Sequence, residues 1–295
     1  MNILVTGGTG FVGSHLVKKL REDNHNVYIL SRSMGSEGDR YSKNRIVWDK
    51  CYQIKNMDDV PQLDFVINLM GENLANKRWS ETQKKEIRDS RVIATKELIK
   101  QLDDAQKLPK RWIQASAIGI YPKNRDEIFD EDSQEKDKDF LSSVCIEWER
   151  VLRELPQDVH SQIVRIGLVL GKDGGLVKKL LPLFKMNLGS KLSSGHQKMS
   201  WIHVEDLVKV IVHLVDNKEV KLINGVSEVN TNREFTDALC EALNKFQGPP
   251  VPSFALKLMM GEMSTLALDG QEVRSKYLLD LKHKDIKEMF KKELA

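Results

Sequence analysis

Residues 6–13 read Thr-Gly-Gly-Thr-Gly-Phe-Val-Gly. The run sits between an apolar, β-rich stretch, Asn2–Thr6, and a segment from Phe11 to about Glu22 in which Phe11, Val12, Leu16 and Leu20 recur with helical spacing. Glycines at 7, 10 and 13 suit a strand that turns tightly into a helix. Gly7 permits the turn, Gly10 has no Cβ to bar an approaching diphosphate, and Gly13 lets the helix lie close to the strand. The first turn of that helix then presents unpaired N–H groups and a positive dipole end to an anion. The alternative is a βα turn that needs small residues for packing alone.

Further along, short β-rich runs alternate with helical patterns: strands at Val27–Ser31, Arg45–Trp48, Asp64–Leu69, Trp112–Ala117 and Gln162–Leu170, and one long amphipathic helix over 80–104. Such alternation predicts an α/β fold, a doubly wound parallel sheet of Rossmann type, with a small mixed C-terminal lobe. The expected division is a dinucleotide-binding domain over 1–225, with 171–200 contributing to the second lobe, and a substrate-side domain over 226–295. Part of 200–225 is expected to return to the sheet. Residues 122–139 carry no apolar period and read as a long charged loop over the site. Helices are expected near 176–187, 204–216, 232–245 and 283–294.

Ligands of such sheets gather beyond the carboxyl ends of the strands. The second strand ends in Ser31-Arg32, where an acidic residue would hydrogen-bond the 2′-hydroxyl of NAD. A hydroxyl and a guanidinium suit a 2′-phosphate instead, so the expected cofactor is NADP(H). A solvated loop arginine is the plainer reading of Arg32. Leu69 and Met70 close the fourth strand as a wall of the crevice or as core. Ser116 ends the fifth strand, and Val169 lies near the end of the sixth.

Forty-six basic residues against 43 acidic ones, both signs interspersed, give no nucleic-acid footprint, and no apolar run approaches the length of a membrane span. Cys51, Cys145 and Cys240 lie far apart, which fits a reducing compartment and neither a disulfide framework nor a zinc site. The N-terminus lacks the pattern of a signal peptide. A cytoplasmic protein acting on a small molecule is expected, with neither nucleic acid nor membrane as partner and no metal. The sequence does not speak to oligomeric state.

The motifs resemble the short-chain dehydrogenase/reductase superfamily in its extended, epimerase/dehydratase form. The matching pieces are TGGTGFVG at 6–13, NLMGE at 68–72, ASAIGIYP at 115–122, RIGLVLG at 165–171 and SWIHVEDLV at 200–208. GEN at 71–73, RW at 78–79, SR at 90–91, SSGHQ at 193–197 and LDGQEV at 268–273 make the chain similar to an epimerase-like branch with a C-terminal domain of unknown function. The resemblance implies cofactor contacts at Gly7, Gly10, Phe11, Val12, Ser31, Arg32, Leu69, Met70 and Val169. Arg91 stands where extended members usually carry Asn, and Glu86 is placed to brace it. A solvated pair on a helix is the alternative for both.

The superfamily's chemistry uses a tyrosine with a lysine four residues on, because a phenol with a pKa near 10 needs a nearby ammonium to work at neutral pH. No YxxxK occurs in this chain. Aligning the pattern on Glu149 puts Leu141 and Cys145 at the two positions. Ser116 and Tyr121 remain as catalytic candidates, with packing or substrate-loop roles as the alternative for Tyr121. Cys145 is an alternative nucleophile or inert packing. Two functions follow: an NADP(H)-dependent epimerase or oxidoreductase with a rearranged acid/base set, or a non-catalytic NADPH-binding sensor.

Overall fold

The computed structural model describes residues 1–33, 44–123, 126–135 and 139–294. The chain opens with β1 (Asn2–Thr6), α1 (Phe11–Glu22), β2 (Asn26–Ser31), β3 (Arg45–Val47) and β4 (Phe65–Asn68). Next come α2 (Glu81–Asp89), α3 (Val92–Asp104), β5 (Arg111–Ala117), β6 (Ile128–Phe129), α4 (Phe140–Arg150), β7 (His160–Ile166) and β8 (Leu168–Leu170). The remainder carries α5 (Gly175–Lys185), β9 (Lys198–His203), α6 (Val204–Asp216), β10 (Leu222–Gly225), β11 (Glu228–Thr231) and α7 (Asn232–Leu243). It ends with α8 (Ser253–Met260), α9 (Thr265–Leu268), β12 (Glu272–Val273) and α10 (Ile286–Leu294).

Seven strands form one parallel sheet in the order β10-β7-β5-β4-β1-β2-β3. The order reverses between β1 and β4, which opens a crevice at their carboxyl ends. Both faces of the sheet are covered, so side chains of opposite parity along one strand enter different cores. Ile3 and Val5 of β1 join Leu16, Val17 and Leu20 of α1 and Leu207, Ile211 and Leu214 of α6. Leu4, between them, joins Leu98 and Leu102 of α3, Trp112 of β5 and Trp148 of α4. A third core unites Leu170, Val177 and Phe184 with Leu239 of α7 and Phe290 of α10.

Three expectations are corrected. The stretch 80–104 is two helices. Ser90 Oγ accepts the Glu72 N–H at 2.9 Å, and the main chain at Arg91 leaves helical angles (φ −109°, ψ −61°) as its guanidinium reaches Glu72 O and Ile87 O, both at 3.1 Å. The sixth strand is also two. β7 stays in the large sheet, whereas β8 joins β9 and β11 in a separate three-stranded sheet. Within 122–139, Ile128–Phe129 pairs with Glu272–Val273, while 124–125 and 136–138 lie outside the described residues. The return to the sheet expected within 200–225 is β10, parallel to β7.

The charged loop is tied down by charge. Glu131 accepts the Asn224 N–H at 2.7 Å, the Ser275 hydroxyl at 2.9 Å and the Lys276 N–H at 2.9 Å. Arg165, in β7 and 3% exposed, donates twice to Glu149 of α4 (2.9 and 2.8 Å), once to the Tyr121 hydroxyl (3.0 Å) and once to Glu135. This buried guanidinium therefore joins β7, α4, the end of β5 and the loop. Its pKa is raised: burial works against its charge, but the Glu149 carboxylate more than offsets that cost.

Replacing Arg165 with Met would strand the Glu149 carboxylate in the interior, and denaturant unfolding should show a loss of about 3–5 kcal/mol. Arg88→Met, which breaks the half-exposed pair with Glu147, should cost less than about 1 kcal/mol in the same measurement.

Candidate dinucleotide crevice

The turn between β1 and α1 is built for close approach. Gly7 has φ +65°, and a Cβ there would lie 2.7 Å from Leu69 O. A Cβ on Gly13 would lie 2.1 Å from Gly7 O. No side chain caps α1 at Gly10, and no acid occupies its first turn. Its leading N–H groups thus face the crevice without a protein side chain to satisfy them.

Buried hydrogen bonds hold β1 and β4 in register around this turn. Thr6 Oγ1 donates to Asn68 Oδ1 at 2.6 Å and accepts the N–H groups of Leu69 and Met70, both at 3.1 Å. The Asn68 amide donates to Thr95 Oγ1 at 3.0 Å and to Gln114 Oε1 at 2.9 Å. Val12, Leu69 and Val169 are half-buried against one core and form an apolar margin, whereas Met70 is buried in the other. The Phe11 ring turns away from the diphosphate position and packs on the 171–175 turn, edge-on to His15 at 5.7 Å.

At the end of β2, the Ser31 hydroxyl donates to Ser33 O at 2.6 Å, and Arg32 is exposed. Arg45 of β3 also donates to Ser33 O, at 3.0 Å, a brace that sequence pattern did not single out. Burial raises the pKa of the Tyr52 phenol, which also feels the charges of Asp89, Lys85, Arg32 and Glu86.

Glu86 does not brace Arg91. It is exposed and pairs with Lys77 at 3.5 Å. Arg91 turns inward beneath Gly71, with its guanidinium 5.4 Å from the Trp148 ring centroid. Burial lowers its pKa, partly offset by Cys145 and Glu72.

Ser116 and Tyr121 are separated by their surroundings. Ser116 is 3% exposed, and its hydroxyl has no hydrogen-bond partner among the described residues. An unmet buried hydroxyl costs free energy unless a ligand or water meets it. Tyr121 is fully enclosed. Its hydroxyl donates to Asn224 Oδ1 at 3.0 Å and accepts from Arg165, and its ring stacks on Phe129. Burial raises the phenol's pKa despite Arg165 beside it. What sets Tyr121 apart from Ser116 is therefore not burial but partners: its hydroxyl is committed to Asn224 and Arg165, the packing role that the sequence offered as the alternative.

The two positions of the missing acid/base pair lie on α4. Leu141 lies over Gly119, where an added Cβ would sit 3.9 Å from the leucine Cβ. Cys145 is buried, and its thiol is pushed up to about 12 by burial, reinforced by Glu149 and only partly opposed by Arg91. A thiol with that pKa is neither a nucleophile nor a base near pH 7.

A separate cleft of about 240 Å³ has Phe11 and His15 on its wall together with His203, Glu205, His283 and Glu293. His203, Glu205 and His283 offer atoms within 4.8 Å of one another, a grouping that residues 80 apart in sequence conceal. Their nitrogens are largely committed. His203 Nδ1 accepts the Glu205 N–H at 3.3 Å to cap α6, which leaves Nε2–H for Glu293 at 2.9 Å. His283 Nδ1 faces Asp206 at 2.9 Å. The cluster anchors α10 to α6.

Over residues 3–229 the chain matches the NAD dependent epimerase/dehydratase family, and over 251–284 it matches a domain of unknown function, DUF1731. It is 37% identical to an Arabidopsis thaliana chloroplastic homolog of epimerase family protein SDR39U1, across 98% of this chain and 85% of that protein. It is 35% identical to the Bacillus subtilis epimerase family protein YfhF, across 94% of this chain and 91% of that one. A crystal structure of human SDR39U1 with NADPH superposes with a TM-score of 0.89 at 32% identity, covering 100% of this chain and 99% of that one.

The thiols give a direct check on the site. With a disulfide reagent near pH 8, Cys51, which is exposed, should react at once, whereas Cys145 and Cys240 should react only on unfolding. Rapid modification of Cys145 in the folded protein would contradict its burial.

Proposed function

Because the chain belongs to the NAD dependent epimerase/dehydratase family, we propose that its crevice binds NADP(H) and receives a small substrate through Ser116. One observation carries this reading: near the carboxyl end of β5 the buried Ser116 hydroxyl has no partner among the described residues, and at the carboxyl end of β1 the helix after the glycine turn starts without a side-chain cap. Both are unmet polar demands, and a phosphorylated dinucleotide with an oxygenated substrate would satisfy them together.

The roles divide by chemistry. Gly7, Gly10 and the N–H groups around Phe11 and Val12 hold the diphosphate. Ser31 and Arg32 meet the 2′-phosphate, the guanidinium as a two-pronged donor. Leu69, Met70 and Val169 supply apolar walls. Arg91 keeps a fixed positive charge under Gly71, next to the thiol that replaces the family's lysine. Ser116 orients the substrate oxygen. When bound, NADPH would supply a hydride at its nicotinamide ring. The relative solved with NADPH supports this choice of cofactor.

Within this reading the chain acts as an epimerase or oxidoreductase whose proton comes from solvent or from the substrate, since Leu141 carries no proton and Cys145 keeps its own. A second reading rests on the same two residues: a non-catalytic NADPH sensor, in which binding changes stability or partner contacts. Incubation with NADPH deuterated at C4 and a panel of carbonyl compounds and nucleotide sugars separates them. Loss of label that Ser116→Ala abolishes supports turnover. Retention of label with intact binding, together with no hydride taken up by NADP⁺ from the same nucleotide sugars, supports the sensor.

Calorimetry should find NADPH bound at least about tenfold more tightly than NADH, which corresponds to about 1.4 kcal/mol. Arg32→Ala should remove most of that preference and leave NADH binding unchanged.

A further inference from the structure

Residues 174–204 and 242–261 contain no Asp or Glu, although acids number 43 in the 295-residue chain. The first carries five lysines (178, 179, 185, 191 and 198) and the second two (245 and 257), and both carry exposed apolar side chains. They also lie side by side. Asn187 Oδ1 accepts the Phe246 N–H at 3.0 Å, Gly248 N–H donates to Gly189 O at 2.8 Å, and Val251 N–H donates to Lys191 O at 3.0 Å. Helix α5 leads into the first strip and α8 leaves the second.

From this shared surface stand Met186 (59% exposed), Leu188 (61%), Phe246 (84%), Phe254 (72%), Leu258 (77%) and Met259 (72%). Scattered apolar exposure is ordinary, but so many large side chains in adjoining segments mark a contact surface. The same two segments carry Lys178, Lys185, Lys191, Lys245 and Lys257, none paired with a carboxylate among the described residues.

We propose that this face docks on an anionic lipid surface. The apolar side chains protrude rather than line a groove, which suits insertion among headgroups and acyl chains more than a shaped protein pocket. The lysine stems can lie along the apolar layer while their ammonium groups reach lipid phosphates. A second copy of the chain is a poorer occupant, because a symmetric contact would bring the same lysines face to face without an acid between them. Among the described residues no helix is long and apolar enough to cross a membrane, so the contact would be peripheral. The sequence-level expectation of no membrane partner rested on the lack of a span and does not address such a surface.

Vesicle co-sedimentation tests the proposal with the full chain. Binding to phosphatidylcholine vesicles containing about a third phosphatidylglycerol should exceed binding to pure phosphatidylcholine by at least about tenfold and weaken sharply in high salt. Phe254→Ser with Leu258→Ser should abolish it. Lys178→Gln, Lys185→Gln and Lys257→Gln together should weaken it on the order of a hundredfold, about fivefold for each lysine. All five side chains are exposed, so thermal unfolding should be unchanged. Absence of sedimentation with anionic vesicles would overturn the proposal, as would equal binding to both vesicle types. Self-association seen by light scattering and removed by the serine changes, without vesicle binding, would overturn it in favour of a second copy.

Discussion

Helix α1 starts without a side chain to cap it, and the architecture of the sheet gives this gap its meaning. Gly7 and Gly13 bring the turn so close to the end of β4 and to itself that no Cβ fits at either position. The helix N-terminus is thereby fixed at the place where strand order reverses, the position at which sheets of this kind take their ligands. Hydrogen bonds from Thr6 to Asn68, and from Asn68 to Thr95 and Gln114, fix that edge from beneath. Those bonds lie in a dry interior, where a lost partner is expensive. The crevice is therefore preorganised to receive negative charge.

The same preorganisation does not extend to proton transfer. On α4, Leu141 and a thiol with a pKa near 12 hold the places of a phenol and an ammonium. Tyr121, the nearest phenol in sequence, is spent on Arg165 and Asn224. Arg165 in turn connects the sheet with α4 and the charged loop. The glutamate of the family's motif, Glu149, survives as its structural partner. The glycine turn keeps the uncapped helix start, whereas the two α4 positions are a leucine and a buried thiol.

Much of this was legible in the residues. Apolar runs and helical spacing located β1, α1, β2 and β5 closely, because burial on both faces of a parallel sheet leaves a strong local pattern. The glycine turn and Ser116 were legible for a related reason, since each occupies a strand end in an alternating pattern. The break at Ser90–Arg91 was not, because Glu72, some 18 residues away, makes it through side-chain hydrogen bonds. The split at Gly167 is hidden because β-rich residues continue on both sides of it, although β8 belongs to another sheet. Glu86 faces solvent and Lys77, and Tyr121 faces Arg165 and Asn224, because sequence distance does not report which way a side chain points. The gathering of His203 and His283 arises only when α10 folds back on α6.

Amide chemical-shift mapping with 2′-phospho-ADP-ribose, which carries both phosphate groups but no nicotinamide, tests the central claim most directly. If the uncapped helix and the Arg32 corner hold the phosphates, the largest shifts fall on Gly8 to Gly13 and on Ser31 to Ser33, and they weaken in a Gly10→Ala variant, whose added Cβ would meet Gly7 O at 3.2 Å and stand in the path of the diphosphate. Shifts centred on the His203–His283 cleft, or no shifts at saturating ligand, would contradict the account.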